Sequence, residues 1–168
     1  MTGKNIFALQ DEIIKKIINE LVGAGAVLSK DINKKIASTS TSDISIYECI
    51  NFARGAVTPS LNPKAIECLE KSIKKDPNYA DAWIWLADRK RAQHSSFSMT
   101  NEFKYMLEEA SKEIDRGLIL DPEHAFGYST KLQIEFYKNN WQEMFNVAEK
   151  AYSLAGERPH LLGKIGYS

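Results

Sequence analysis

Three histidines, His94, His124 and His160, and two cysteines, Cys49 and Cys68, are the side chains best suited to metal binding or nucleophilic chemistry. No two histidines stand in the HExxH spacing that turns two imidazoles to one helical face, and no CxxC pair offers two thiolates to one ion. The histidines read as surface or capping residues, and the cysteines as reduced, half-buried thiols on separate helices. Gly3-Lys4 lacks the upstream glycine of a phosphate-binding loop. Glu108, Glu109, Glu113 and Asp115 interleave with Lys112 and Arg116, which is the composition of a solvated helix face rather than of an acid/base pair. With no Gly-x-Ser-x-Gly elbow and no paired Cys and His, the chain is expected to carry no catalytic residue, metal or cofactor. What remains for function is a surface.

The charge balance says what that surface is not. Lys and Arg number 22 against 22 Asp and Glu, so no net field draws the chain to nucleic acid or to an anionic membrane. Hydrophobic residues at 43% and charged residues at 26% argue against wholesale disorder. The apolar run Leu21 to Leu28 is far shorter than the ~20 residues of a spanning helix. Acids and lysines interrupt the N-terminal isoleucines, unlike the continuous apolar core of a secretory leader. A cytoplasmic protein is the expectation.

Helices must position the surface. Ile6, Phe7, Leu9, Ile13, Ile14, Ile17, Ile18, Leu21 and Val22 recur at three- and four-residue steps, an amphipathic helix that Gly23 and Gly25 would end. Ser38-Thr39-Ser40-Thr41-Ser42 follows as a linker, because its hydroxyls compete for backbone hydrogen bonds. The chain thus divides into 1–43, a helix and linker, and 44–168, a helical array. Within the array, helical periodicity runs from Ile44 to Gly55, from about Pro63 to Ile73, from Ala80 to about Ala92, from about Thr100 to Ile119, from Phe126 to Tyr137 and from Trp141 to Leu154. Gln93 to Ser98 reads as a loop, and Leu161, Leu162, Ile165 and Tyr167 open one more apolar face.

Two joints punctuate this array. Lys75-Asp76-Pro77-Asn78-Tyr79-Ala80-Asp81-Ala82-Trp83 and Leu120-Asp121-Pro122-Glu123-His124-Ala125-Phe126-Gly127-Tyr128 share the order acid, proline, two variable residues, small residue, aromatic ring. Twelve, eight and five residues before the prolines stand Ala65, Leu69 and Ser72, and Ala110, Ile114 and Gly117. Small residues suit a close helix crossing, the large one fills the groove, and the proline ends the helix. This pattern resembles the 34-residue tetratricopeptide (TPR) repeat. The resemblance covers roughly Ile44 to Ser168. It implies an all-α fold of antiparallel helical hairpins stacked as a right-handed superhelix, about three hairpins and the start of a fourth, with Trp83 in the groove between hairpins. The prolines lie 45 residues apart (122 − 77), so the middle repeat carries about 11 extra residues.

A narrower resemblance lies in Asn5-Ile6-Phe7-Ala8-Leu9-Gln10-Asp11-Glu12-Ile13-Ile14. It is similar to the helix that precedes TPR repeats in bacterial multidomain regulators related to class III adenylate cyclases and in some winged-helix transcription factors. That resemblance implies a regulatory segment; neither the cyclase nor the DNA-binding activity is carried over.

In the TPR geometry the first helix of each hairpin lines the inner wall. The register then assigns Tyr47, Ile50 and Arg54 to the first hairpin, Asp81, Ile84, Asp88 and Arg91 to the second, and Phe126, Ser129, Gln133 and Phe136 to the third. Aromatic rings beside Arg54, Asp88, Arg91 and Gln133 suit a protein or peptide partner, or another domain of the same regulator. Equally, several of these residues could pack against the N-terminal helix. Self-association and a small-molecule-sensing pocket between helices are the two alternatives to a docking scaffold.

Overall fold

The computed structural model describes residues 44–56, 58–93 and 100–155. The expected N-terminal helix, the Ser/Thr linker, the loop at 94–98 and the apolar face at Leu161 to Tyr167 lie outside these residues. Among the described residues all regular structure is helical: α1 (Ile46–Gly55), α2 (Asn62–Lys75), α3 (Ala80–Ala92), α4 (Asn101–Leu120), α5 (Ala125–Tyr137) and α6 (Trp141–Ala155).

Each boundary has a local cause. Ser45 opens α1 with a capping box: its hydroxyl accepts from the Glu48 N–H, and the Glu48 carboxylate accepts from the Ser45 N–H at 3.0 Å, which satisfies two orphan donors at once. Pro63 sits in the first turn of α2, where its missing N–H costs nothing. Thr100 caps α4 by accepting from the Phe103 N–H. The two joints fold alike. Asp76 accepts from the Asn78 N–H at 3.0 Å, and Asp121 accepts from the Glu123 N–H at 3.2 Å, so the acid before each proline closes an Asx turn. Asn139, at φ 57°, makes the left-handed turn between α5 and α6, a conformation asparagine tolerates better than most residues.

The helices pair as α1 with α2, α3 with α4 and α5 with α6, and α3 also packs on α1 and on α5. First helices therefore lie side by side through the stack. The middle repeat takes up part of its extra length in α4, which has 20 residues against 14 in α2.

Two apolar clusters hold the stack. One fills the first hairpin with Phe52, Ala53, Ala65, Cys68 and Leu69 and reaches Leu86 of α3. The other joins α3, α4 and α5 through Ile84, Ala87, Ala110, Ile114, Leu118 and Ile134. Ile84 is fully buried between two glycines: a Cβ on Gly117 of α4 would lie 2.5 Å from its Cγ1, and a Cβ on Gly127 of α5 would lie 3.2 Å from its Cδ1. Ile84, not Trp83, plugs the gap between hairpins. Trp83 is half-buried over the joint, where its indole N–H donates to the Pro77 carbonyl at 2.9 Å.

The cysteines also depart from expectation. Packing of α1 on α2 brings the Cα atoms of Cys49 and Cys68 to 5.6 Å, and the two form a disulfide that is buried in the first hairpin. The bond crosses between helices, so spacing along the chain gave no sign of it.

Candidate interaction face

The face shared by α1, α3 and α5 is built around Trp85. Four residues before it on α3, Asp81 points the same way, and on the neighbouring helices Arg54 and Phe126 meet its ring. Trp85 stacks on Phe126 with centroids 4.4 Å apart and planes at 27°. The Arg54 guanidinium lies 5.6 Å from the Trp85 centroid and that of Arg89 lies 6.0 Å away, both within cation–π range. Three successive hairpins thus contribute to one aromatic and cationic surface.

Below it sits a buried charge cluster. Asp88 is 1% exposed, and its two oxygens accept separately from Arg89 (2.5 Å) and Arg91 (2.8 Å). Burial alone would push this carboxyl up, but the charges of Arg91 and Arg89 outweigh it and hold Asp88 below the usual carboxylate range. Arg89 also donates to the Ala56 carbonyl at 2.8 Å, while Asn62 donates to the Arg89 carbonyl at 2.8 Å. One arginine therefore ties the end of α1 and the start of α2 to α3. Such a cluster fixes the orientation of α3 against its neighbours, because removing any one member strands a buried charge.

A second polar clasp spans the two joints. His124 Nδ1 accepts from the Gly127 N–H at 3.0 Å, which caps α5, and His124 Nε2 meets the Asp81 carboxylate at 2.7 Å. With Nδ1 accepting, Nε2 carries the proton and donates. This hydrogen bond, against burial and with help from nearby positive charge including Arg54, holds the Asp81 carboxyl below its ordinary range. The cleft between the joints is lined by Asn78, Tyr79, Ala80, Asp81, Asp121 and His124. Among the described residues no cluster of His, Cys, Asp and Glu is arranged to hold a metal ion, and no helix is long and apolar enough to cross a membrane.

The residues expected on the inner wall divide into three groups. Arg54 and Phe126 meet at Trp85, and Tyr47 stands exposed near the start of α1. Arg91, Gln133 and Phe136 are half-buried; Arg91 is engaged with Asp88, and Phe136 contacts Tyr137 and Trp141 edge-on. Ile50, Ile84, Asp88 and Ser129 are buried and present no wall surface. The difference at Ile84 is one helical step of about 100°. The small residues Gly117 and Gly127 draw Ile84 inward and leave Trp85 on the shared face. Trp85 and His124 were missed as contributors to this face; the i to i+4 pairing of Asp81 with Trp85 was the available signal.

No family model matches the sequence, and no curated protein matches it. Among solved structures the chain is similar to TTC0263, a thermophilic TPR protein of Thermus thermophilus, with a TM-score of 0.70 at 13% identity, over 94% of this chain and 79% of that one. The fold is thus a TPR-like superhelical stack of helical hairpins.

Proposed function

We propose that this chain is a non-catalytic scaffold that docks a protein partner along the face shared by α1, α3 and α5. The observation that carries the reading is the Arg54–Trp85–Phe126 arrangement, in which three hairpins converge on one exposed-edged aromatic surface. Aromatic and arginine side chains held by rigid neighbours lose little entropy on binding, and they are the residue types most often found to anchor interfaces. The buried Asp88 cluster supplies that rigidity from beneath. Tyr47 on α1 and Gln133 on α5 extend the surface toward its two ends.

The Asn5 to Ile14 stretch supports a narrower placement, as the repeat segment of a bacterial regulator of the class III adenylate cyclase-related or winged-helix kind, where the partner is another domain of the same protein. The Cys49–Cys68 disulfide weighs against the cytoplasmic part of that placement, since reducing compartments disfavour such bonds.

The test is a photo-crosslinker placed at Tyr47, with crosslinked proteins compared between the otherwise native chain and one carrying Arg54→Glu. Arg54 is exposed, so its replacement leaves the core intact. A partner crosslinked only when Arg54 is present supports the docking face. An identical set of adducts with both chains removes it.

A further inference from the structure

We infer that Lys90 is a pH-steered latch between the first two hairpins: it pairs with Glu113 of the second while that carboxyl is charged, and with Glu70 of the first once Glu113 is protonated. This inference does not depend on the docking face proposed above. Lys90 stands near the end of α3, which packs on α2 and on α4. Its amine faces two carboxylates, Glu113 of α4 at 2.5 Å and Glu70 of α2 at 3.9 Å. One cation is thus shared between a helix of its own hairpin and a helix of the preceding one.

The two carboxylates sit in unlike surroundings. Glu70 has 48% of its side chain open to water, and Glu113 only 10%. Glu113 Oε1 meets Lys90, while Oε2 is buried with no hydrogen-bond partner among the described residues. A buried carboxylate with an idle oxygen is a poor place for a charge, and a proton relieves it. Neighbouring charges add to this. Glu109, one turn away on α4, and Glu70, from α2, repel a charge on Glu113, and Lys90, from α3, opposes them. Burial is the largest influence, and with the two acids it pushes the Glu113 carboxyl up to about 7 against the pull of Lys90. Glu109 itself is engaged by Lys112 at 2.9 Å.

Protonation of Glu113 removes one of the two attractions on the amine. The Glu70 carboxylate is then the charged partner at hand. Closing from 3.9 Å to an ordinary ion-pair distance takes about 1 Å, a movement that the flexible stem of lysine makes by small rotations. Acid therefore moves the bond of this lysine from inside the second hairpin to across the joint with the first. Arg89 already ties α3 to the first hairpin at every pH, by donating to the Ala56 carbonyl and accepting from Asn62 through its own. Below the Glu113 transition Lys90 adds a further tie, to α2, and the joint stiffens.

The coupling between Lys90 and Glu70 measures this. The full chain, Glu70→Gln, Lys90→Met and the double variant are unfolded in urea at about pH 6 and about pH 8.5, on either side of the Glu113 transition. The cycle gives the factor by which the pair raises the folding constant beyond its separate members. The expected factor is about threefold at the lower pH and about one at the higher, the range between a formed and an unformed pair of this exposure. The same cycle built on Glu113→Gln, which is uncharged throughout, should give about threefold at both. Carbon-13 NMR of the side-chain carboxyls in the native chain tests the latch even where Lys90→Met does not fold. There the Glu113 carboxyl should titrate with a midpoint of about 7, and the Glu70 carboxyl should shift in the same step as Lys90 arrives. A coupling equal at the two pH values, or one that still follows pH in Glu113→Gln, overturns the inference. So does a Glu113 signal that stays flat across the interval, or a Glu70 signal that does not move with it.

Discussion

Gly117→Ala is the perturbation that most directly tests how the hairpins are joined. In the middle of an α-helix the change should help, since alanine is favoured over glycine by about 1 kcal/mol. Here the added methyl would meet Ile84 Cγ1 at 2.5 Å, with the Ile84 amide nitrogen and Trp83 Cβ both at 3.3 Å. Cγ1 lies next to the backbone of a fully buried residue, so relief requires α3 and α4 to move apart. Overpacking of this kind costs about 1–3 kcal/mol, which exceeds the propensity gain and leaves Gly117→Ala destabilising by about 1 kcal/mol. Ile84→Ala by itself should cost about 3 kcal/mol through lost burial and the cavity left behind. With Ile84 removed, the first of the three contacts disappears, and Gly117→Ala should become neutral or stabilising by up to about 1 kcal/mol. The coupling between the two positions is then about 1–2 kcal/mol, measurable by urea denaturation of the four proteins with far-ultraviolet circular dichroism. Equal effects of Gly117→Ala in both backgrounds would refute the placement of Ile84 between the hairpins. Trp83→Ala, which removes a half-buried ring at the joint, should cost less than Ile84→Ala; the reverse order would return the tryptophan to the groove.

Three further outcomes follow from the polar and covalent contacts. Burial pushes the Glu113 carboxyl up to about 7, even with the Lys90 amine 2.5 Å away; the folded chain therefore holds a proton between about pH 4.5 and 7 that the unfolded chain releases, and stability falls as pH rises across that window by up to about 3 kcal/mol. Glu113→Gln should remove this dependence, raising the thermal midpoint at pH 8 and leaving it nearly unchanged at pH 5; a midpoint lowered at pH 8 would mean that the Lys90 pair is net stabilising. His124→Ala should cost about 1–2 kcal/mol by losing the α5 cap and the Asp81 hydrogen bond together, and His124→Asn should recover the cap portion, both read from urea midpoints. Reduction of the Cys49–Cys68 bond, confirmed by thiol labelling of the unfolded chain, should lower stability by about 3 kcal/mol for a loop of this size. No change on reduction would show that the bond constrains nothing.

The stack of hairpins was legible because its signals are local. The acid-proline joints and the small residues Ala65, Ala110 and Gly117 at fixed distances before them all act within a turn or a few turns of where they are written. The candidate interaction face was legible only in part. Arg54 and Phe126 were placed by counting, but the count assigned Ile84 to the wall, and the helix is rotated so that Trp85 takes that place. That rotation is set by Gly117 and Gly127, which lie 33 and 43 residues further along the chain, and no periodicity within α3 reports it. The Asp88 cluster was hidden for the same reason. Asp88 and Arg91 read as wall residues free to meet a partner until the Arg89 contacts with Ala56 and Asn62 bury the cluster against α1 and α2. Cys49 and Cys68 likewise meet only when two helices pack.

The covalent link between α1 and α2 also sets how the chain yields under tension. When the ends are pulled apart, a stack of hairpins lengthens in steps as each opens, and each step releases the contour of the residues it contained. The bond between positions 49 and 68 withholds the 19 intervening links from that extension, roughly 60–70 Å of contour at full stretch. In an oxidising medium the first hairpin lengthens by only a fraction of what its 30 or so residues would allow, and the loop inside the bond stays slack at any force that leaves the sulfurs joined.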